Sequence, residues 1–127
     1  MAGKLMSQRL CNALSITIVF RKFKSSYHGW CAWQDSNFRP REFEIEINNS
    51  KSRKAQLATL AHEMVHVKQW ARGELFDYLL EEKTRWQGAV YKRDGLDYYD
   101  EPWEIEAHGR ELGLVERYKR YCRKNKA

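Results

Sequence analysis

Cysteine is scarce in this chain of 127 residues: Cys11, Cys31 and Cys122 are the only three. An odd number without a C-x-x-C pair argues against a disulfide framework and a thiolate zinc site, and it fits a reducing compartment. No apolar run approaches the roughly 20 residues that span a bilayer, so no membrane segment is expected. The first 24 residues mix charges into their apolar stretch and offer no clean cleavage site. They do not read as a signal peptide, and a cytoplasmic setting is expected. Internal repeats and low-complexity segments are absent. Acid is missing altogether after Glu116, where Arg117, Lys119, Arg120, Arg123, Lys124 and Lys126 equal the whole net charge of +6. Such an end commonly complements a helix dipole; the sharper reading is contact with nucleic acid or an acidic surface.

What is present supports one packed core. Apolar residues make up 43% and aromatics 13%, with five Trp and seven Tyr, and the length suits a single domain over residues 1–127.

The stretch HEMVH, residues 62–66, organises the rest. On a helix His62 and His66 stand one turn apart on the same face, where both imidazoles can reach one ion. Glu63, beside the first, is placed to take a proton from a water activated there. The run KAQLATLAHEMVHVKQWARG has no internal Pro or Gly and stops at Gly73, a C-cap residue. Leu57, Leu60, Ala61, Met64, Val67 and Ala71 mark an apolar stripe, with the histidines, Thr59 and Gln69 on its flank.

Upstream, residues 1–12 are a short helix or a loose arm. Leu14 to Phe23 and Tyr27 to Gln34 read as strands, with turns at Ser25–Ser26 and Asp35–Asn37. FEIEIN, residues 43–48, alternates strictly, with Phe43, Ile45 and Ile47 inward and Glu44 and Glu46 outward. Its charges and the nearby Pro40 suggest an edge strand. An antiparallel meander of three strands is therefore expected before the helix, with Asn48, Asn49 or Ser50 as its cap. After Gly73, ELFDYLLEEKTRW is expected to form a second short helix and GAVYKRD a loop or short strand. Pro102 suits the first turn of a last helix capped near Asp100 or Glu101, with Ile105, Leu112 and Val115 as apolar anchors and Gly109 permitting close approach. The fold class is α+β.

A catalytic zinc site takes three protein ligands, and no third histidine follows the pair at short spacing. Glu104, Glu106 and His108, in PWEIEAHG, are the candidates. Glu104 and His108 share a helix face, while Glu106 points away.

HEMVH followed by a helix bearing Glu, then a small residue and a polar one, resembles a gluzincin metallopeptidase. In thermolysin-like and HtpX-like enzymes the second helix has the form E-x-x-(small)-D, and its Glu is the third zinc ligand. The pattern falls on Glu104, Ala107 and His108, with His108 standing where those families have Asp. The resemblance covers about residues 43–116 and implies a zincin-like domain of one small sheet and two helices, with zinc held by His62, His66 and Glu104. HEMVHVKQ and PWEIEAHGRE are also similar to small metallopeptidase-like proteins of phages and bacteria. AHGREL, residues 107–112, resembles more loosely the second motif of SprT-like proteases, which act on DNA-bound proteins; there His108 is the implied ligand, though Leu112 replaces an aromatic.

The activity implied is hydrolysis of peptide bonds, with Glu63 as base and Tyr98, Tyr99 or His108 as donors to the oxyanion. FEIEI, as an edge, is expected to pair with an extended peptide substrate by β-augmentation, with Glu44 and Glu46 favouring basic side chains. The rival readings are a SprT-like DNA-associated protease and a non-catalytic zinc-stabilised module binding nucleic acid through residues 117–127.

Overall fold

The computed structural model describes residues 1–93 and 95–125. Lys126, part of the basic end, lies outside the described residues. The fold is α+β. A 3-10 turn and helix α1 (Gln8–Ala13) lead into β1 (Ser15–Arg21), β2 (Gly29–Trp33) and β3 (Glu42–Asn48). Helix α2 (Arg53–Ala71), strands β4 (Leu75–Tyr78), β5 (Lys83–Trp86) and β6 (Ala89–Lys92), and helix α3 (Pro102–Asn125) follow.

The first sheet has three strands but is not a meander. Its order is β1-β3-β2, with β1 parallel and β2 antiparallel to β3. The FEIEI strand is thus central, not an edge. Strict alternation reports which face of a strand is wet, and says nothing of whether its backbone is paired on both sides. Glu46 lies on the wet face and bonds Arg21 at 3.0 Å. Phe43, Ile45 and Ile47 form the floor of the core, covered by Ala61, Val65 and Ala107.

Helix α2 starts at Ser52, whose hydroxyl accepts from the Ala55 amide at 3.1 Å, a capping bond. Asn48, expected among the caps, instead holds the strand–helix turn through Ser50. At the other end Gly73, at φ 72°, donates to the Trp70 carbonyl, and Glu74 donates to that of Gln69. This is the Schellman pattern that a left-handed residue completes. The expected stripe understates the burial. From Ala61 to Gln69 every side chain is buried, polar ones included, because the sheet, α3 and a second small sheet enclose the helix.

That second sheet, β4-β5-β6, is antiparallel and occupies the segment expected as a short helix. Phe76, Tyr78, Thr84 and Trp86 supply β-favouring side chains on both strands of its first hairpin. Leu79 and Leu80, which lend the segment a helical look, are exposed at the hairpin tip. In α3, Pro102 takes the first position and the Glu101 carbonyl accepts the first helical bond, as expected. Two of the three expected anchors fail: Ile105 is 56% and Leu112 73% exposed, while the third, Val115, is buried and is joined in the core by Ala107 and Leu114. A Cβ on Gly109 would meet nothing, so it permits no close approach. Gly29 does. A Cβ there would lie 2.6 Å from the Glu46 carbonyl and 2.7 Å from Thr59 Cγ2, so its absence lets α2 sit against β2.

Candidate metal centre

Two helices that meet only through tertiary packing build the site. His62 and His66 project from α2 toward Glu104 in the first turn of α3, and all three are buried. The Glu104 carboxylate lies between the imidazoles, with Oε1 2.9 Å from His62 Nε2 and Oε2 3.1 Å from His66 Nε2. One donor atom from each lies within 4.8 Å of the others. That is the spread three ligands need to share an ion at roughly 2.0–2.2 Å each. Two imidazoles and one carboxylate are also the donor set of a catalytic zinc, so the residues fit the metal. Of the three candidate ligands on α3, Glu104 is the one that meets both histidines. Glu106 turns away and bonds Lys68 at 2.7 Å.

The other ring nitrogens are fixed by partners that the sequence did not single out. His62 Nδ1 lies 2.9 Å from Glu111 Oε2, a carboxylate that accepts. His66 Nδ1 lies 2.7 Å from Gln69 Oε1. Gln69 is fully buried, and its Nε2 donates to the Trp103 carbonyl at 2.8 Å and to Glu106 Oε1 at 3.0 Å. Its oxygen must therefore face His66 and accept the Nδ1 proton. Each Nδ1–H is thereby committed to a partner, and each Nε2 faces Glu104, to whose carboxylate the protonated ring donates. Once that proton leaves, Nε2 is the nitrogen free to ligate, the orientation a ligand histidine requires. Lys68 completes the support, bridging Glu106 and Glu74 at 2.7 and 2.9 Å.

His108, expected as a candidate ligand or an oxyanion donor, is partly exposed at the rim, its ring centroid 4.4 Å from that of His62. Orientation of His62 falls to Glu111, one turn further along. Two signals could have found these partners: Gln69 follows His66 by three residues, and Glu111 follows Glu104 by seven, a helical return to the same face. Among the tyrosines the structure brings Tyr98 to the centre. Its hydroxyl donates to Glu104 Oε1 at 2.8 Å and lies 3.2 Å from His108 Nε2. Tyr99 is 74% exposed and stacks outside, against Tyr98 and His108.

Electrostatics follow from this packing. Burial alone would raise the Glu104 pKa, but hydrogen bonds from His62 and His66 hold it well below the ordinary carboxylate range. Burial would likewise lower both imidazoles, and their bonds to Glu104 reverse the sign and raise them. Glu63 shifts upward because it is buried, against the pull of both histidines. Burial also raises the Cys31 thiol well above its ordinary value.

These groups line a cleft of about 990 Å³, bounded by β2 at Gly29–Cys31, by α2 and Tyr98, and by Leu75, Asp77 and Trp103 on the far side. The inner face of the second sheet packs on Trp103 through Trp86 and Tyr91, which fixes that wall. No described helix is long and apolar enough to cross a membrane. No protein-family model, curated protein or solved structure matches this chain.

Proposed function

We propose that the protein is a zinc-dependent endopeptidase acting on extended or unfolded protein segments. The observation that carries this reading is the Glu104 carboxylate, 42 residues from His62 in sequence, seated within hydrogen-bond distance of both Nε2 atoms. Zinc held by His62, His66 and Glu104 would supply a Lewis acid that polarises a peptide carbonyl and acidifies a water. The chain's own residues do the rest. Glu63, buried beside both imidazoles and lining the cleft, receives the proton of the attacking water and hands it to the leaving amine. Tyr98 and His108, at the mouth of the site, donate to the carbonyl oxygen as it gains charge.

Strand β2 supports the substrate class. It pairs with β3 on one side only and lines the cleft, so an extended peptide can add to its free edge. This moves the docking strand from β3, whose two sides are both occupied, to β2. The cysteines Cys11, Cys31 and Cys122 are all free, which supports a reducing, cytoplasmic setting.

The test separates catalysis from ligation. Glu63→Gln is expected to retain one metal per chain and lose cleavage of an unfolded protein by at least about 100-fold. Glu104→Ala is expected to lose the metal. Full activity in Glu63→Gln, or full metal content in Glu104→Ala, ends the proposal.

A further inference from the structure

The C-terminal half of α3 has no part in the site. Every described residue from Glu116 to Asn125 is exposed, so about 15 Å of helix presents its outer face to solvent, Tyr118 being the least exposed at 39%. It carries Arg117, Lys119, Arg120, Arg123 and Lys124 with no acid after Glu116. Among the described residues none of these five forms an ion pair, whereas Lys68, Arg21 and Arg110 do. At 100° per residue the five cations span an arc of about 160° on the outer face.

We propose that this segment is a docking surface for duplex DNA, seated along the major groove and held by the phosphate backbone. The shape argument is direct. A helix with its side chains is about 10–12 Å across, and the B-form major groove is about 12 Å wide. Cations spread over nearly half the helix circumference reach phosphates on both walls of such a groove. A-form RNA has a deep, narrow major groove that admits no helix, so the geometry favours DNA over duplex RNA. The one side-chain amide on the segment, Asn125, donates to the Tyr121 carbonyl, and binding is expected to be independent of sequence. The segment lies about 24 Å along the helix from Glu104, so the cleft stays open when DNA is bound. This inference does not depend on the peptidase reading.

Fluorescence anisotropy with the full chain and a labelled DNA duplex of about 20 base pairs tests it, with an RNA duplex of the same sequence and phosphatidylserine vesicles as comparators. DNA is expected to bind most tightly, and affinity to fall by about two orders of magnitude between 50 and 200 mM salt, as four or five phosphate contacts require. Lys119→Glu, Arg120→Glu and Arg123→Glu combined should weaken DNA binding at least about 30-fold and flatten the salt slope by about three. Thermal melting and metal content should stay at wild-type values, which separates this loss from misfolding. Glu63→Gln should bind DNA as wild type does. Absence of DNA binding at low salt, preference for RNA or vesicles, or indifference to the triple substitution would each overturn the proposal.

Discussion

His66 Nδ1 and Gln69 Oε1 lie 2.7 Å apart inside the protein, and the Gln69 amide nitrogen is held from behind by Trp103 and Glu106. The imidazole cannot flip or change tautomer without leaving a buried amide unpaired. Gln69→Leu is therefore expected to lower zinc affinity about 10- to 100-fold, the usual cost of losing a partner of a ligand histidine. It should also destabilise the fold by about 1–3 kcal/mol, because buried polar groups on Glu106 and Trp103 lose a donor. Chelator competition and urea unfolding read the two effects separately.

The pH dependence of stability should change sign with metal. In the metal-free protein His62 and His66 have raised pKa values, through burial opposed and outweighed by bonds to Glu104. Their contribution is full below the unfolded imidazole value of about 6.5 and is lost as pH rises through the folded values. Glu104 is depressed, so its contribution is present above the unfolded carboxylate value of about 4.3 and is lost as pH falls through the folded one. The metal-free protein should accordingly be most stable at about pH 5–6, and its Tm should drop toward pH 8. With zinc the trend over that interval should reverse, because metal binding needs neutral imidazoles. Melting curves across that range, with and without zinc, check both slopes.

Gly29→Ala probes the seat of α2 on β2. Its Cβ would meet backbone oxygen at 2.6 Å and Thr59 Cγ2 at 2.7 Å, and a carbonyl inside a paired strand cannot move aside. A loss of about 1–3 kcal/mol is expected from the enforced shift. Gly109→Ala, where nothing lies near, should instead stabilise α3 by up to about 1 kcal/mol. Equal effects at the two glycines would contradict the packing described.

The α2 helix and its two histidines were legible because they rest on spacing along one helix. Glu104, on another helix 42 residues from His62, was favoured over Glu106 and His108 only through the resemblance of its stretch to a gluzincin glutamate helix. The order of the first sheet was not legible. Residues 43–48 carry the signature of a half-wet strand, and that signature is the same for a central strand and an edge. Residues 74–86 were misread for a related reason. Leu79, Leu80, Glu81 and Glu82 are good helix formers, yet they fill a hairpin tip whose flanking strands are fixed by packing on Trp103. Glu111 shares a helix face with Glu104, but its role exists only once α3 lies against α2. The sequence offers Tyr98 and Tyr99 alike; adjacent residues on the 3-10 turn Tyr98–Asp100 face differently, and only the docked turn decides which meets Glu104.

The ligand-bearing helices are separated along the chain by the whole of the second sheet, strands β4 to β6. An ion shared by His62, His66 and Glu104 would therefore staple the folded chain across a span of 42 residues, its binding free energy adding to folding because the unfolded chain does not hold the site. Demetallation should then be felt first in that intervening sheet, as faster amide exchange and earlier proteolytic nicking at Leu79–Glu82, well before the core around Ile45 and Val65 loosens.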